Sequence, residues 1–215
     1  MRVAILAAGD FPTRPEPMAS LHEADFVVCC DSAYATLHTI NYPLPTNFIV
    51  IGDGDSLPVS DKDALGDRYL QVDEQDYNDL HKAMLWATTH YPLSTTHFTI
   101  VGATGKREDH TLGNIAYLVT FAEEYPGIEL EMLTDYGRLC ALRGRRRFDS
   151  FPRQQVSIFA MDADAAVTSQ GLRWQLTDFR PARWWQATLN EATGNEFTLD
   201  TDGWMVVFQT YDPKV

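Results

Sequence analysis

Ile49-Val50-Ile51-Gly52-Asp53-Gly54-Asp55-Ser56 is an apolar run that ends in two carboxylates separated by one glycine. The apolar part reads as a strand, and the small residues after it let the backbone turn sharply and approach a ligand closely. Two carboxylates this near repel, so each is relieved by a proton or a cation. A divalent ion shared with phosphate oxygens meets that need, because hard oxygen ligands suit magnesium. The same pattern also occurs as a plain acidic turn after a strand. Its meaning depends on what the flanking segments bring to it.

Working outward, residues up to about 140 alternate short apolar runs with helical patterns. That is the habit of a parallel α/β sheet. The runs are Val3–Ala8, Phe26–Cys30, Phe48–Ile51, Tyr69–Val72, His97–Val101 and Ile128–Leu133. Asp79–His90 puts Leu80, Ala83, Met84 and Ala87 on one helix face, and Tyr91-Pro92 stops it. His110–Glu124 repeats the pattern with Leu112, Ile115, Ala116 and Val119. The expectation for residues 1–142 is therefore an α/β domain on a mainly parallel, Rossmann-like sheet.

The character changes after Leu142. Gly144–Phe151 is basic and reads as irregular. Short β-like runs follow at Val156–Met161, Gly171–Leu176, Ala187–Leu189, Phe197–Leu199 and Trp204–Gln209. Without any helical period there, residues 143–215 read as a small antiparallel, all-β domain. Trp174, Trp184, Trp185 and Trp204 are assigned to its core or to an interface, with substrate stacking as the minority reading. Arg143, Arg145, Arg146, Arg147 and Arg153 read as the solvated face of a linker or hairpin.

Seventeen basic and thirty acidic residues in 215 give a formal net charge of −13. That balance excludes non-specific nucleic-acid binding, which needs a positive surface to displace counterions. It leaves room for phosphate ligands wherever metal ions or local cations reverse the field. Cys29, Cys30 and Cys140 are an odd number without metal-ligand spacing, and they point to a reducing compartment. No stretch approaches a membrane span, and Met1–Ala8 is too short for a signal peptide. The expectation is a soluble, cytoplasmic protein with neither nucleic acid nor membrane as partner.

In a parallel α/β sheet, ligands bind beyond the carboxyl ends of the strands. Four such ends here carry unusual residues: Ala8-Gly9-Asp10, Asp31-Ser32, the paired aspartates, and the loop from Gly102 to His110. The last resembles a phosphate loop, but it has two residues between its glycines where a Walker A motif has four, and Arg107 stands where that motif has Ser or Thr. Its backbone N–H groups and the following helix start still suit an anion, so Thr104, Lys106, Arg107 and His110 are candidate phosphate contacts. A planar guanidinium at Arg107 clamps phosphate oxygens in a fixed geometry. Asp109 and His110 can equally cap the helix.

Asp73-Glu74-Gln75-Asp76-Tyr77-Asn78-Asp79 precedes the helix that carries Lys82. Some of these carboxylates are expected as N-caps and dipole partners. Asp79 and Lys82, three apart, share a helix face and suit a metal–triphosphate complex. His22, His38, His81, His90 and His97 show no ligand spacing and read as surface or core residues.

Taken in order, these residues resemble thiamin pyrophosphokinases. That family pattern has an aspartate after the second strand, then Gly-Asp-x-Asp-Ser, then a segment like Asp-Gln-Asp-x-Thr-Asp-x-x-Lys. A Gly-Arg-x-Asp-His loop follows, and Gly-Leu-x-Trp/Tyr-x-Leu with Ser-Asn-Glu closes it. The counterparts are Asp31, then Gly52-Asp53-Gly54-Asp55-Ser56, then Glu74-Gln75-Asp76-Tyr77-Asn78-Asp79 with Lys82. Lys106-Arg107-Glu108-Asp109-His110, Gly171-Leu172-Arg173-Trp174-Gln175-Leu176 and Leu189-Asn190-Glu191 complete the series. The departures are Ser32-Ala33 for Gly-Gly, Gly54 for the usual Phe, Asn78 for Thr and Leu189 for Ser.

The resemblance implies an α/β domain followed by a β-sandwich, in a homodimer with shared active sites. It implies transfer of a pyrophosphoryl group from ATP to the hydroxyl of thiamin, giving thiamin diphosphate and AMP. Mg2+ is then expected on Asp53, Asp55 and Asp79 with Asp31 in support. Arg107 and Lys82 are expected on the phosphates, and Asp109, Gln75 and Asn190 orienting thiamin, with Trp174 beside it. The rival readings are a diphosphokinase on another alcohol such as a hydroxymethylpterin, an Asp-x-Asp phosphohydrolase, and a non-catalytic nucleotide-binding protein.

Overall fold

The structure is a computed structural model and describes residues 1–40 and 42–214, with the side chain of His38 outside that description. The chain divides into two compact units, Met1–Tyr117 with Tyr125–Asp135, and Leu118–Glu124 with Tyr136–Val215. The division thus falls earlier than the expected 142/143 boundary. Among the described residues, no helix is long and apolar enough to cross a membrane.

The first unit is built on β1 (Arg2–Leu6), β2 (Phe26–Cys30), β3 (Phe48–Gly52), β4 (Tyr69–Gln71), β5 (His97–Val101) and β6 (Glu129–Leu133). All pair in parallel, in the order β6-β5-β1-β2-β3-β4. The helices are α1 (Pro15–His22), α2 (Asp31–Ile40), α3 (Val59–Leu65), α4 (Asp79–His90) and the part of α5 (Glu108–Glu124) up to Tyr117. The near-continuous apolar strands follow from burial on both faces: Ile5, Val27, Val28, Val50, Ile51 and Ile100 are fully enclosed. Cys29 and Cys30 belong to this core, and burial pushes both thiols far above their usual range. α5 starts at Glu108 rather than the expected His110.

The second unit contains β7 (Gly137–Asp149), β8 (Gln154–Ala160), β9 (Val167–Gln170), β10 (Ala187–Glu191) and β11 (Glu196–Pro213). It is antiparallel, in the order β10-β8-β11-β7, with β9 also on β11. The basic stretch expected to be irregular lies inside β7. Arg143, Arg145 and Arg147 are exposed there while Leu142 and Phe148 are buried, and the left-handed backbone of Gly144 (φ 80°) interrupts the alternation. The expected run at Gly171–Leu176 forms only one bridge, Leu172 to Ala192, and the strand sits at Val167–Gln170 instead.

Phe197–Leu199 and Trp204–Gln209 fuse into one strand, β11, whose register shifts between Thr201 and Met205. Ahead of that shift β11 pairs with β9, and beyond it with β8. The core consists of Leu142, Phe148, Val156, Ile158, Phe197, Leu199 and their neighbours, with the rings of Phe148 and Phe197 stacked 4.9 Å apart. Three of the four tryptophans lie outside it, while Trp204 is half-buried. Trp174, Trp184 and Trp185 are 49, 52 and 54 % exposed.

Candidate active site

The sheet order puts β1 between β2 and β5, so the chain leaves β1 toward one edge and later returns on its other side. Loops after such neighbours diverge and leave a crevice at their carboxyl ends. Here the two loops are laced together by backbone bonds. Gly9 N donates to Gly102 O at 2.6 Å, and Asp10 N to Thr104 O at 2.8 Å. Gly105 (φ 83°) sits so close to Asp10 that a Cβ there would lie 2.1 Å from its Oδ2. A cleft of about 290 Å³ opens above them, lined by Gly9, Ser32, Asp79, Gly105, Arg107 and His110 among others.

Asp31, Asp53 and Asp55 bring one carboxylate oxygen each to within 4.8 Å of one another. Asp31 opens α2 and is fully buried. Its Oδ1 accepts from Ser32 N at 2.5 Å, and its Oδ2 from Gly54 N at 2.9 Å. The turn between the other two needs glycine: Gly54 has φ 83°, and a Cβ on it would lie 2.3 Å from Tyr69 Oη and 2.5 Å from Lys62 Nζ. The position that the family pattern gives to phenylalanine is thus filled by those two side chains. The Asp55 amide holds the Asp53 carboxyl below its usual range, with help from Gln75, whose Nε2 lies 3.4 Å from Asp53 Oδ2.

Asp79 stands at the start of α4, outside that cluster of three. Burial, and next the charge of Asp31, push it up to about 6, while Lys82 opposes the shift. Lys82 is itself buried, with Nζ 3.6 Å from Asp79 Oδ1 and 3.2 Å from Val72 O. The cap of α4 is not a carboxylate, as expected from the acidic run, but Asn78, whose Oδ1 accepts from His81 N at 3.0 Å. An amide oxygen serves this first turn as well as a carboxylate does.

In the loop after β5, Arg107 and Asp109 pair with each other through two contacts, Nε–Oδ1 at 3.1 Å and Nη2–Oδ2 at 2.5 Å. The guanidinium, and then the His110 amide, draw the Asp109 carboxyl down to about 2. Both side chains are exposed, and the forked guanidinium stands at the cleft. Lys106 turns back, Nζ donating to Ala8 O at 2.8 Å, and Thr104 contributes its carbonyl to Asp10.

In the second unit, Asn190 is buried and fully engaged with backbone. Its Oδ1 accepts from Trp174 N and Glu191 N, and its Nδ2 donates to Trp174 O at 2.7 Å. It therefore shapes the loop that carries Trp174, over whose ring Arg173 lies at 5.1 Å. Leu189 is exposed with φ 60°, at the irregular step in the β10–β8 pairing.

The expected residues thus fall into an acidic cluster (Asp31, Asp53, Asp55) with Gln75 on it, an Asp79–Lys82 pair, and an Arg107–Asp109 pair. Trp174 and Asn190 form a further group in the second unit. Sequence reading placed Ser32 at a strand end but gave it no role; its Oγ bonds Asp31 Oδ1 and Ser56 Oγ. It missed Asn114, a lone amide on the buried face of α5, which was its only signal. Three converging carboxylates at strand ends, offering hard oxygen donors, fit a divalent cation such as magnesium.

Residues 18–130 match the family profile described as thiamin pyrophosphokinase, catalytic domain, and residues 137–208 match thiamin pyrophosphokinase, substrate-binding domain. Solved structures share the fold. A thiamin pyrophosphokinase family protein from Enterococcus faecalis is 22% identical with TM-score 0.77, over 99% of this chain and 100% of that one. Thiamine pyrophosphokinase from Bacillus subtilis is 19% identical with TM-score 0.79, over 99% and 100%. The Candida albicans thiamin pyrophosphokinase is 16% identical with TM-score 0.82, over 98% and 89%. No curated protein sequence matches the chain significantly.

Proposed function

The chain belongs to the thiamin pyrophosphokinase family, and from that premise we propose how its own residues divide the work. The reaction is the transfer of the pyrophosphoryl group of ATP to the hydroxyl of thiamin, giving thiamin diphosphate and AMP. Both the β- and γ-phosphates move, so the hydroxyl oxygen bonds to the β-phosphorus while the bond to the AMP oxygen breaks. The hydroxyl proton is released to solvent water, and AMP leaves with the electron pair of the broken P–O bond.

Asp31, Asp53 and Asp55 would hold magnesium, with Asp79 turned toward the same charge. The cation supplies neutralisation of phosphate charge when bound. Phosphoryl transfer is mostly positioning and charge neutralisation, so the protein's part is to hold groups still. Arg107 offers a planar fork to the phosphates, exchanging the exposed Asp109 carboxylate for them, and Lys82 holds Asp79 in place from below. The glycine loop Gly102–Gly105 offers backbone N–H groups at the start of α5. Gln75, Asp109 and Asn190 act on thiamin, Asn190 by shaping the loop of Trp174.

The first unit then carries ATP and magnesium, and the second, folded as a β-sandwich, contributes to binding thiamin. The chain works as a homodimer in the cytoplasm, its active site completed at the interface. The half-exposed Trp174, Trp184 and Trp185 support such an interface. The convergence of Asp31, Asp53 and Asp55 carries the site assignment. Chromatography of the nucleotide products tests the reaction: AMP formed only with thiamin present is expected. ADP with thiamin monophosphate, or AMP without thiamin, would overturn it.

A further inference from the structure

We propose that Asn114 is a positioning residue of the active site, setting the separation between the start of α4 and the glycine loop after β5. Asn114 lies on α5, is 7 % exposed, and lines the cleft. Its Nδ2 donates to Ala103 O at 2.8 Å. Its Oδ1 accepts from Asn78 Nδ2 at 3.0 Å. Asn78 Oδ1 in turn accepts from His81 N at 3.0 Å as the cap of α4. One line of hydrogen bonds therefore runs from the carbonyl beside Thr104-Gly105 to the first turn of the helix that carries Asp79 and Lys82.

The direction of this line is fixed at both ends. The Ala103 carbonyl can only accept, so Asn114 must face it with its NH2 group and offer oxygen to residue 78. The His81 amide can only donate, so Asn78 must give it oxygen and turn its NH2 toward Asn114. Rotating either amide loses two bonds in a buried place. A threonine at 78, as in the related pattern, keeps the cap, but its single oxygen cannot stand both at His81 N and at Asn114. The brace is therefore a device of the Asn78–Asn114 pair.

Its purpose follows if this cleft is the ATP site, the reading on which the inference rests. The phosphates would be gripped from one side by the loop and Arg107, and from the other by the group around Asp79. A small change in their separation loosens both grips, and misplacement of reacting groups is costly to the rate. Thiamin, by contrast, gains nothing directly from the brace.

Asn114→Ala, Asn78→Thr and the double variant test this, with steady-state kinetics for each substrate and equilibrium binding of a non-hydrolysable ATP analogue with magnesium. Asn114→Ala should raise KM for ATP and the Kd of the analogue about tenfold, the order expected from losing a buried amide partner. KM for thiamin should stay within about twofold, because that substrate is not what the brace aligns. Asn78→Thr should show a smaller rise in the same direction, and the double variant should be no worse than Asn114→Ala alone. If Asn114→Ala does not fold, Asn78→Thr, which keeps its helix cap, still decides the question. Unchanged ATP parameters in the folded variants, additive effects in the double, or an equal rise for thiamin would overturn the brace and leave the cleft reading standing. Failure of the parent protein to bind the analogue would overturn both.

Discussion

Asp31, Asp53 and Asp55 reach one small volume by different routes, and that difference predicts how each tolerates change. Asp31 is buried and accepts two backbone amides. Asp53 and Asp55 stand at the open turn, with Gln75 and Ser56 as their side-chain neighbours. Asp53→Asn and Asp55→Asn should each abolish thiamin diphosphate formation. In magnesium-free buffer their melting temperatures should hold or rise, because repulsion within the cluster is relieved. Asp31→Ala should also lose turnover, and in addition about 1–3 kcal/mol of stability, since the Ser32 and Gly54 amides lose their acceptor. Calorimetry with and without magnesium separates the two patterns. Near-normal turnover in the Asp53 or Asp55 variant would remove the metal assignment.

At the level of single elements, β5 and β6 carry a charge arrangement away from the site. His97 Nε2 lies 3.1 Å from Glu131 Oε1, and its Nδ1 3.7 Å from Glu129 Oε2. The Glu131 hydrogen bond raises the imidazole above its ordinary value, with both carboxylate charges adding to it. A group raised on folding adds stability that is fully present below its unfolded value, about 6.5, and is lost as pH rises through the folded one. His97→Gln should therefore be less stable than the parent in acid, by under about 1 kcal/mol because the group is part-exposed, and the gap should close in alkali. Urea midpoints across that range check it; a gap that widened with pH would refute the assignment. The same strands were legible beforehand, because burial on both faces leaves continuous apolar runs such as Phe26–Cys30 and His97–Val101. The second unit was less so. A strand with one wet face can carry Arg143, Arg145 and Arg147, and the left-handed step at Gly144, opposite the register shift of β11, hides the alternation that would reveal it. The acidic cluster was readable from the Asp-Gly-Asp turn, but the Asn78–Asn114 link joins residues that only the packing of α4 beside α5 brings together.

For the molecule as a whole, the exposed tryptophans of the second unit bear on assembly. Sedimentation velocity at micromolar concentration should give a dimer, and Trp184→Ser with Trp185→Ser should shift the protein toward monomer and lower activity with dilution. A fully active monomer would end that proposal. Four tryptophans in a short β region could be read as core or as contact surface, and only the observed exposure puts Trp174, Trp184 and Trp185 at the surface. Strand β11 carries a different consequence. It pairs with β7, β8 and β9, all of which precede it in the chain, and it lies between β7 and β8. On the ribosome those three strands emerge before the one that joins them, with unpaired edges and apolar faces uncovered. Non-local pairing of this kind is slow and exposed to aggregation. The newborn chain thus passes through a window in which its first unit can close while its second must wait for Glu196–Pro213, and a chaperone that shields open strand edges would act there.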